Sequence, residues 1–125
     1  MRLAVLLMVL AGPVAAQSLS GPDWRVVEIG GQAVPAGIPV TVAFDAGRVA
    51  GQSGCNRFSG AAVQDGQTLT LSAIAATRMA CPPDRMDVES RMLTALSSVT
   101  GFALTPGGAL ELLGTTGLLI RATRD

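Results

Sequence analysis

The chain has 125 residues, which suffices for one domain but not for two. Its nine basic residues, all of them arginine, balance nine acidic ones, and it contains neither lysine nor histidine. This near-neutral charge excludes a basic surface for nucleic acid and a polybasic segment for membrane binding. Because the aromatic content is only 3%, few side chains are available on which bases or sugars could stack.

The first residues predict a secretory signal peptide. Arg2 supplies a positive charge, residues 3–10 form an uninterrupted apolar run, and small residues lead up to Ala16. We expect cleavage after Ala16, so that 1–16 is the signal peptide and 17–125 is the mature domain. The apolar run is much shorter than the roughly 20 residues of a membrane span, and a short N-terminal anchor is the alternative.

Turn residues recur about every eight to twelve positions in the mature chain, which is typical of many short strands. Val40, Val42 and Phe44 alternate with smaller or polar residues, so one face of this strand is expected to lie on the core. A Pro/Gly-rich loop is predicted over 32–39 and hairpin turns over 45–47 and 64–67. The predicted strands span 24–29, 40–44, 48–52, 58–63, 68–71, 102–105, 109–113 and 118–123, and 72–80 is expected to be extended.

One helix is predicted over about residues 84–99, where apolar residues such as Leu93 and Leu96 recur at helical spacing. Asp84 is the expected N-cap, with Asp87 three residues later as a shortened capping box. The fold class that follows is mainly β: a small antiparallel β-barrel-like sheet of about seven or eight strands, with the helix inserted before the last three. Curling of the sheet removes exposed edges.

The mature chain contains two cysteines, Cys55 and Cys81. Export would place them in an oxidising compartment, where pairing is the simplest arrangement. The loop that such a disulfide closes would contribute about 3.5 kcal/mol in the chain-entropy model. Two free buried thiols are the alternative, and a metal-binding pair is disfavoured because the chain has no histidine and the spacing matches no zinc motif.

The sequence lacks the residues that most catalytic mechanisms require. Without histidine or lysine there is no Ser-His-Asp triad, no Schiff base and no phosphate-binding lysine. A two-carboxylate glycosidase would have to use Glu28, Asp45, Glu89 or Glu111, but no sequence feature pairs them. We therefore expect a protein that is not an enzyme and that uses neither a metal nor another cofactor.

Two segments carry a family resemblance. The first is GQSGCNRFSG over 51–60, and the second is ATRMACP over 76–82, followed by Met86 and Glu89 on the predicted helix. Together with the early Trp24 strand they resemble the META domain of HslJ-like proteins over nearly the whole mature chain. The chain departs from that pattern after position 60, where two alanines replace a tyrosine.

The resemblance implies a small barrel-like antiparallel fold with one helix, located in the bacterial envelope and in some members induced by stress. It also implies that Cys55 and Cys81 are disulfide partners and that no catalytic activity is to be expected. Around them we predict a polar patch for a partner or ligand, although a purely structural role in holding the strand-to-helix corner is the alternative. The patch comprises Asn56, Arg57, Thr77, Arg78 and Glu89.

Local chemistry suggests how this patch is arranged. Gly51, Gly54 and Gly60 suit sharp bends or close backbone contacts. Asn56 is expected to tolerate a left-handed backbone and to bond its own neighbouring backbone. Arg57 and Arg78 are expected to pair with Glu89 or with Asp87.

The leading functional hypothesis is a periplasmic, monomeric accessory module that binds an envelope protein. One alternative is an inhibitor of a wall-degrading enzyme, although Ser59-Gly60 is followed by alanines where lysozyme inhibitors carry Lys or Tyr. Another alternative is a carrier of a small apolar ligand, although a domain of this size leaves little room beyond a packed core.

Overall fold

The structure, a computed structural model, describes residues 19–124. The predicted signal peptide at 1–16 lies outside the described residues. Nine strands and one helix make up the described chain: β1 (Trp24–Ile29), β2 (Gln32–Ala33), β3 (Val40–Asp45), β4 (Arg48–Ser53), β5 (Arg57–Asp65), β6 (Thr68–Ala76), α1 (Pro83–Ser97), β7 (Gly101–Leu104), β8 (Leu110–Gly114) and β9 (Gly117–Thr123).

The strands form one antiparallel sheet that closes into a ring. From β3 to β9 each strand pairs with the next in the chain, while β1 pairs with both β3 and β9. This confirms the predicted fold class. The ninth strand is the two-residue β2, which pairs with the end of β1 inside the segment predicted as a loop.

The interior of the ring is filled with side chains. The alternation predicted for β3 is present, since Val40, Val42 and Phe44 are all buried. Trp24 is buried on β1, and its indole N–H donates to the carbonyl oxygen of Leu19 at 3.2 Å. A buried indole usually needs such an acceptor. This hydrogen bond therefore links Leu19, the first described residue, to the core.

A bulge interrupts β6. Ser59 and Ala61 of β5 are two positions apart, but their partners Ala75 and Ser72 on β6 are three apart. The extra residue lies near Ala73, which has a φ of +52°. Because of it, Leu71 and Ile74 both pack against the core although they are an odd number of positions apart.

The helix begins two residues after the disulfide cysteine Cys81. Its N-cap is Pro82, which supplies no side-chain hydrogen bond, and Pro83 occupies the first turn. The expected N-cap Asp84 instead lies inside that turn, because the two prolines start the helix earlier. Its carboxylate there suits the positive end of the helix dipole.

The helix covers one end of the ring. Its buried face, which includes Val88, Met92 and Leu96, belongs to the hydrophobic core, and α1 contacts β1, β4, β6 and β9. Within residues 19–124, no helix is both long and apolar enough to cross a membrane.

Insertion of the helix between β6 and β7 shortens the pairing of these two strands. Their only register pair among the described residues is Thr68 with Gly101. Beyond Thr68, towards the helix, no strand within 19–124 pairs with the outer edge of β6. The ring is thus closed near one end and open along this edge.

Candidate binding site beside the disulfide

The predicted pairing of Cys55 with Cys81 is present in the structure, with the two Cα atoms 6.0 Å apart. That separation lies in the usual range for disulfides. The bond joins the loop before β5 to the segment that leads into α1. We call the surrounding structure the disulfide corner; it comprises residues 53–56, residues 77–81 and Glu89.

Glu89 is the central acceptor of the disulfide corner. It projects from α1 and is only 6% exposed. Its Oε1 accepts hydrogen bonds from the Ser53 hydroxyl and from the backbone N–H of Asn56, both at 2.7 Å. Its Oε2 accepts a third from the side-chain amide of Asn56 at 2.8 Å. A buried carboxylate is tolerated only with such partners.

Asn56 connects the three parts of the corner. Its Nδ2 donates to Glu89 and to the Met79 carbonyl oxygen, the latter at 3.2 Å. Its Oδ1 accepts from the Met79 backbone N–H at 2.7 Å and from the Thr77 hydroxyl at 3.0 Å. The side chain is 2% exposed, and both of its polar atoms are therefore satisfied by the protein.

The ionisation of Glu89 follows from this environment. Burial raises the pKa of its carboxyl, but four hydrogen bonds act in the opposite direction. They come from the side chains of Ser53 and Asn56 and from the backbone N–H groups of Asn56 and Cys55, and together they leave the pKa of Glu89 below its ordinary value. The carboxylate is therefore charged at neutral pH and is held by neutral donors.

The helix approaches the corner closely because of Gly54. This residue has a φ of +111°, and a Cβ atom there would lie 3.2 Å from the Arg85 carbonyl oxygen and 3.3 Å from a Val88 methyl carbon. Arg85 in turn donates from Nε to the Gly54 carbonyl oxygen at 2.9 Å. The close backbone contact predicted for Gly54 is thus present.

Two expectations for Asn56 and its neighbours are wrong. Among the described residues, positive φ outside glycine occurs only at Ala46 and Ala73, so Asn56 is not left-handed. Its side chain reaches Thr77, Met79 and Glu89, which are distant in sequence, rather than its own backbone.

The expected arginine ion pairs with Glu89 or Asp87 are not formed either. Glu89 takes neutral donors, and Asp87 pairs with Arg91 one helical turn later at 3.3 Å. The side chains of Arg57 and Arg78 are exposed and make no ion pair with any residue in the described range. Thr77 remains in the network, because its hydroxyl also accepts the Arg57 backbone N–H at 3.2 Å.

The structure therefore divides the predicted polar patch. Asn56, Thr77 and Glu89 lie together in the network, whereas Arg57 and Arg78 present their side chains to solvent. Sequence reasoning did not identify Ser53 or the backbone of Met79 as members. The position of Ser53, three residues before Asn56 in a Gly-rich segment, was the signal for a side chain that bonds nearby groups.

An open groove, which we call the β6–α1 groove, lies beside this network. It is lined by half-buried or exposed apolar residues from β6, from the segment 77–81 and from α1, together with the exposed Arg78 and with Asn56, Thr77 and Glu89 of the network. Met79 is 60% exposed, and among the described large hydrophobic residues only it and Val63 are so exposed. The apolar lining consists of Ile74, Ala75, Ala76, Met79, Ala80, Met86 and Leu93.

A comparison with protein families gives a match to the META domain over residues 17–125. The chain belongs to the META domain family. This confirms the family named from the sequence motifs, while membership of the HslJ-like branch stays a prediction.

Two solved structures resemble this META domain. An NMR structure of a protein from Burkholderia xenovorans has 26% sequence identity and a TM-score of 0.70, covering 91% of this chain and 88% of that one. A second NMR structure has 24% identity and a TM-score of 0.62, covering 80% of this chain and 86% of the other, and shows the shared fold alone. No curated protein matches the chain.

Proposed function

We propose that this META domain protein is an exported, non-enzymatic module of the bacterial envelope that binds a partner through the β6–α1 groove. The observation that carries the proposal is the contrast between the groove and the network behind it. In the network, the polar atoms of Asn56 and Glu89 are occupied by the protein, whereas Met79 and Arg78 present an apolar and a charged group to solvent. Apolar groups exposed at a rigid surface favour a binding role.

The disulfide supports the proposed export. A bond between Cys55 and Cys81 persists in an oxidising compartment and is rare in reducing ones. The signal-like segment at 1–16 would deliver the chain to the periplasm. We expect material purified from the periplasm to begin at Gln17 and to contain no free thiol, which intact mass spectrometry with thiol labelling measures.

A non-enzymatic role is supported by the hydrogen bonds and ion pairs that the acidic residues make within the protein. Glu89 is held by its network, and Glu28 and Glu111 both bind the guanidinium of Arg121, at 3.5 and 3.1 Å. Of the four carboxylates considered for a glycosidase this leaves only Asp45, which is exposed at the end of β3, and a two-carboxylate mechanism needs a pair. Turnover by the purified protein in a hydrolase or redox screen would overturn this part of the proposal.

The two alternatives receive less support. Ser59 and Gly60 lie inside β5 rather than in a protruding loop, so they do not form an inhibitory loop for a wall-degrading enzyme. The side chains that fill the interior of the ring, such as Trp24, Leu110 and Ile120, occupy the space that an enclosed apolar ligand would need.

Site-specific photo-crosslinking tests the proposed surface. A photoreactive amino acid at Met79 should give a discrete adduct in intact cells, because this side chain lies in the groove. The same amino acid at Val63, which is 63% exposed on β5, is the matched control. Equal adducts at both positions, or none at Met79, would contradict the assignment of the groove.

A further inference from the structure

The backbone of β6 has a hydrogen-bonding edge in the groove that no strand of the described chain occupies. Thr77 N–H donates to the Arg57 carbonyl oxygen at 2.9 Å, and Ala75 pairs with Ser59, so these two residues face β5. In an extended chain, alternate residues direct their N–H and C=O groups to opposite edges. The backbone groups of Ile74, Ala76 and Arg78 therefore face the groove.

Within residues 19–124, this edge has no partner strand beyond Thr68. The register between β6 and β7 ends at Thr68 and Gly101, and the last backbone contact beyond it joins Leu69 N–H to the Thr100 carbonyl oxygen at 3.1 Å. From there to the disulfide corner, the described chain provides no strand on this side of β6. Unpaired strand edges readily accept another extended chain.

The opposite wall of the groove is α1. Met86 and Leu93 project from the helix into the groove and are half-buried, and Ile74 and Ala76 line it from β6. A chain lying between strand and helix would therefore gain backbone hydrogen bonds on one side and apolar contacts on the other. This is the arrangement in which a peptide adds a strand to a sheet.

We infer that the β6–α1 groove binds an extended segment of a partner protein, which adds as a strand to the Ile74–Ala76–Arg78 edge and places a carboxylate against Arg78. The carboxylate is required by charge complementarity, because the Arg78 guanidinium is exposed and has no acidic partner among the described residues. Alternate side chains of the segment should be apolar, to contact Met86 and Leu93. The inference rests on the proposed binding function and specifies its mode.

A second copy of this chain is a less suitable occupant. In a symmetric contact through the same edge, each copy presents the same surface to the other. In the antiparallel pairing of two such edges, Arg78 of one copy would lie opposite Ile74 of the other, so Arg78 would gain no carboxylate from the edge.

Selection from a random peptide library on the oxidised protein tests the inference. We expect the enriched peptides to carry alternating apolar residues and an acidic residue. In NMR spectra they should shift the amide signals of Ile74, Ala76 and Arg78 and slow hydrogen exchange at these amides. Peptides that shift only amides elsewhere would overturn strand addition, yet would leave a binding function in place.

Ala76→Pro is the decisive variant. It removes an N–H that faces the groove, and proline is tolerated on a strand edge whose N–H is not used by the sheet. We expect it to weaken peptide binding by about tenfold, which corresponds to a lost hydrogen bond together with a steric block. Ala76→Ser keeps the N–H and is the matched control, with affinity expected to be unchanged.

Charge reversal gives a second test that does not depend on the folding of the proline variant. Arg78 is exposed, so Arg78→Glu should leave thermal unfolding unchanged but turn the preference of the library from acidic to basic peptides. An unchanged preference would overturn the role of Arg78. If no peptide is enriched while the Met79 crosslink forms, strand addition fails and the proposed function survives; if both fail, the proposed function fails as well.

Discussion

Two regions of this molecule hold acidic side chains at different depths from solvent. In the disulfide corner, Glu89 is 6% exposed and is held by neutral donors. On the outer wall of the sheet, Arg121 lies between Glu28 and Glu111, and the side-chain exposures of these three residues are 42%, 30% and 24% respectively. Buried hydrogen bonds to a charge stabilise strongly and are costly to break, whereas exposed ion pairs contribute little. We therefore expect the corner, rather than the ion pairs, to determine the stability of the fold.

The largest effect is expected from removing the disulfide. Replacing both Cys55 and Cys81 by serine should lower the free energy of unfolding by about 3.5 kcal/mol, because the unfolded chain regains the freedom of a long loop. Urea denaturation measures the loss, and chemical reduction of the wild-type protein should reproduce it. A loss below about 1 kcal/mol would mean that the hydrogen-bond network alone sets the stability of the corner.

The next largest effect is expected for Asn56→Ala. Removal of this side chain leaves Glu89 Oε2, the Thr77 hydroxyl and the Met79 backbone without their buried partner, at a cost of about 3 kcal/mol in unfolding free energy. Gln64→Ala is the matched control, because Gln64 is an exposed amide with a single weak bond at 3.3 Å. Its loss should stay below about 0.5 kcal/mol. Similar losses for both variants would remove the distinction between the corner and the surface.

The pH dependence of the unfolding free energy should distinguish the contribution of the Glu89 charge from that of its side-chain packing. The folded-state pKa of Glu89 lies below its ordinary value, so the charged form adds stability above the unfolded-state pKa of about 4.3. This contribution is lost as the pH falls from there through the folded pKa. The stability difference between wild type and Glu89→Gln should therefore shrink on acidification, as measured by urea midpoints of both proteins. A difference that is constant with pH would show that the carboxylate charge contributes nothing.

The smallest effect is expected on the outer wall. Arg121→Ala breaks both ion pairs of this partly exposed cluster and should lower the unfolding free energy by less than about 1 kcal/mol. The loss should decrease further in high salt, which screens exposed charges. Arg48→Ala, at an exposed arginine of β4, provides the baseline for losing one surface charge. A loss comparable to that of Asn56→Ala would remove the expected difference between the disulfide corner and the outer wall.

The strands were predictable because their signals are local. Each signal is contained in a few consecutive residues. Examples are the alternation in β3, the turns at 45–47 and 64–67, and the helical spacing of Leu93 and Leu96. The very short β2 was missed because two residues provide no alternation to detect. Asp84 is a suitable N-cap by residue type, but the consecutive prolines Pro82 and Pro83 place the start of the helix earlier.

The sequence motifs predicted several of the residues that lie in the disulfide corner, but not the hydrogen bonds between them. The motifs pointed to Asn56, Thr77 and Glu89, yet opposite charge suggested arginine partners for Glu89. Burial decided otherwise, since a long arginine keeps its head in water more readily than the compact Ser53 and Asn56 side chains do. The groove was not predictable, because its edge arises where a helix replaces the strand that would otherwise pair with β6.

The bulge near Ala73 lies on β6, before the residues that join the corner. That single additional residue is accommodated locally, because the pairing of β6 with β5 is regular on both sides of it. If Ala73 were deleted, Ser72 and Ala75 would be two positions apart, as Ser59 and Ala61 are on β5, so that Leu71 and Ile74 would both still face the interior and Thr77 would still face Arg57. The asparagine–glutamate network would then keep its contact with this segment, so we expect the corner to assemble without the one β6 residue whose backbone is left-handed.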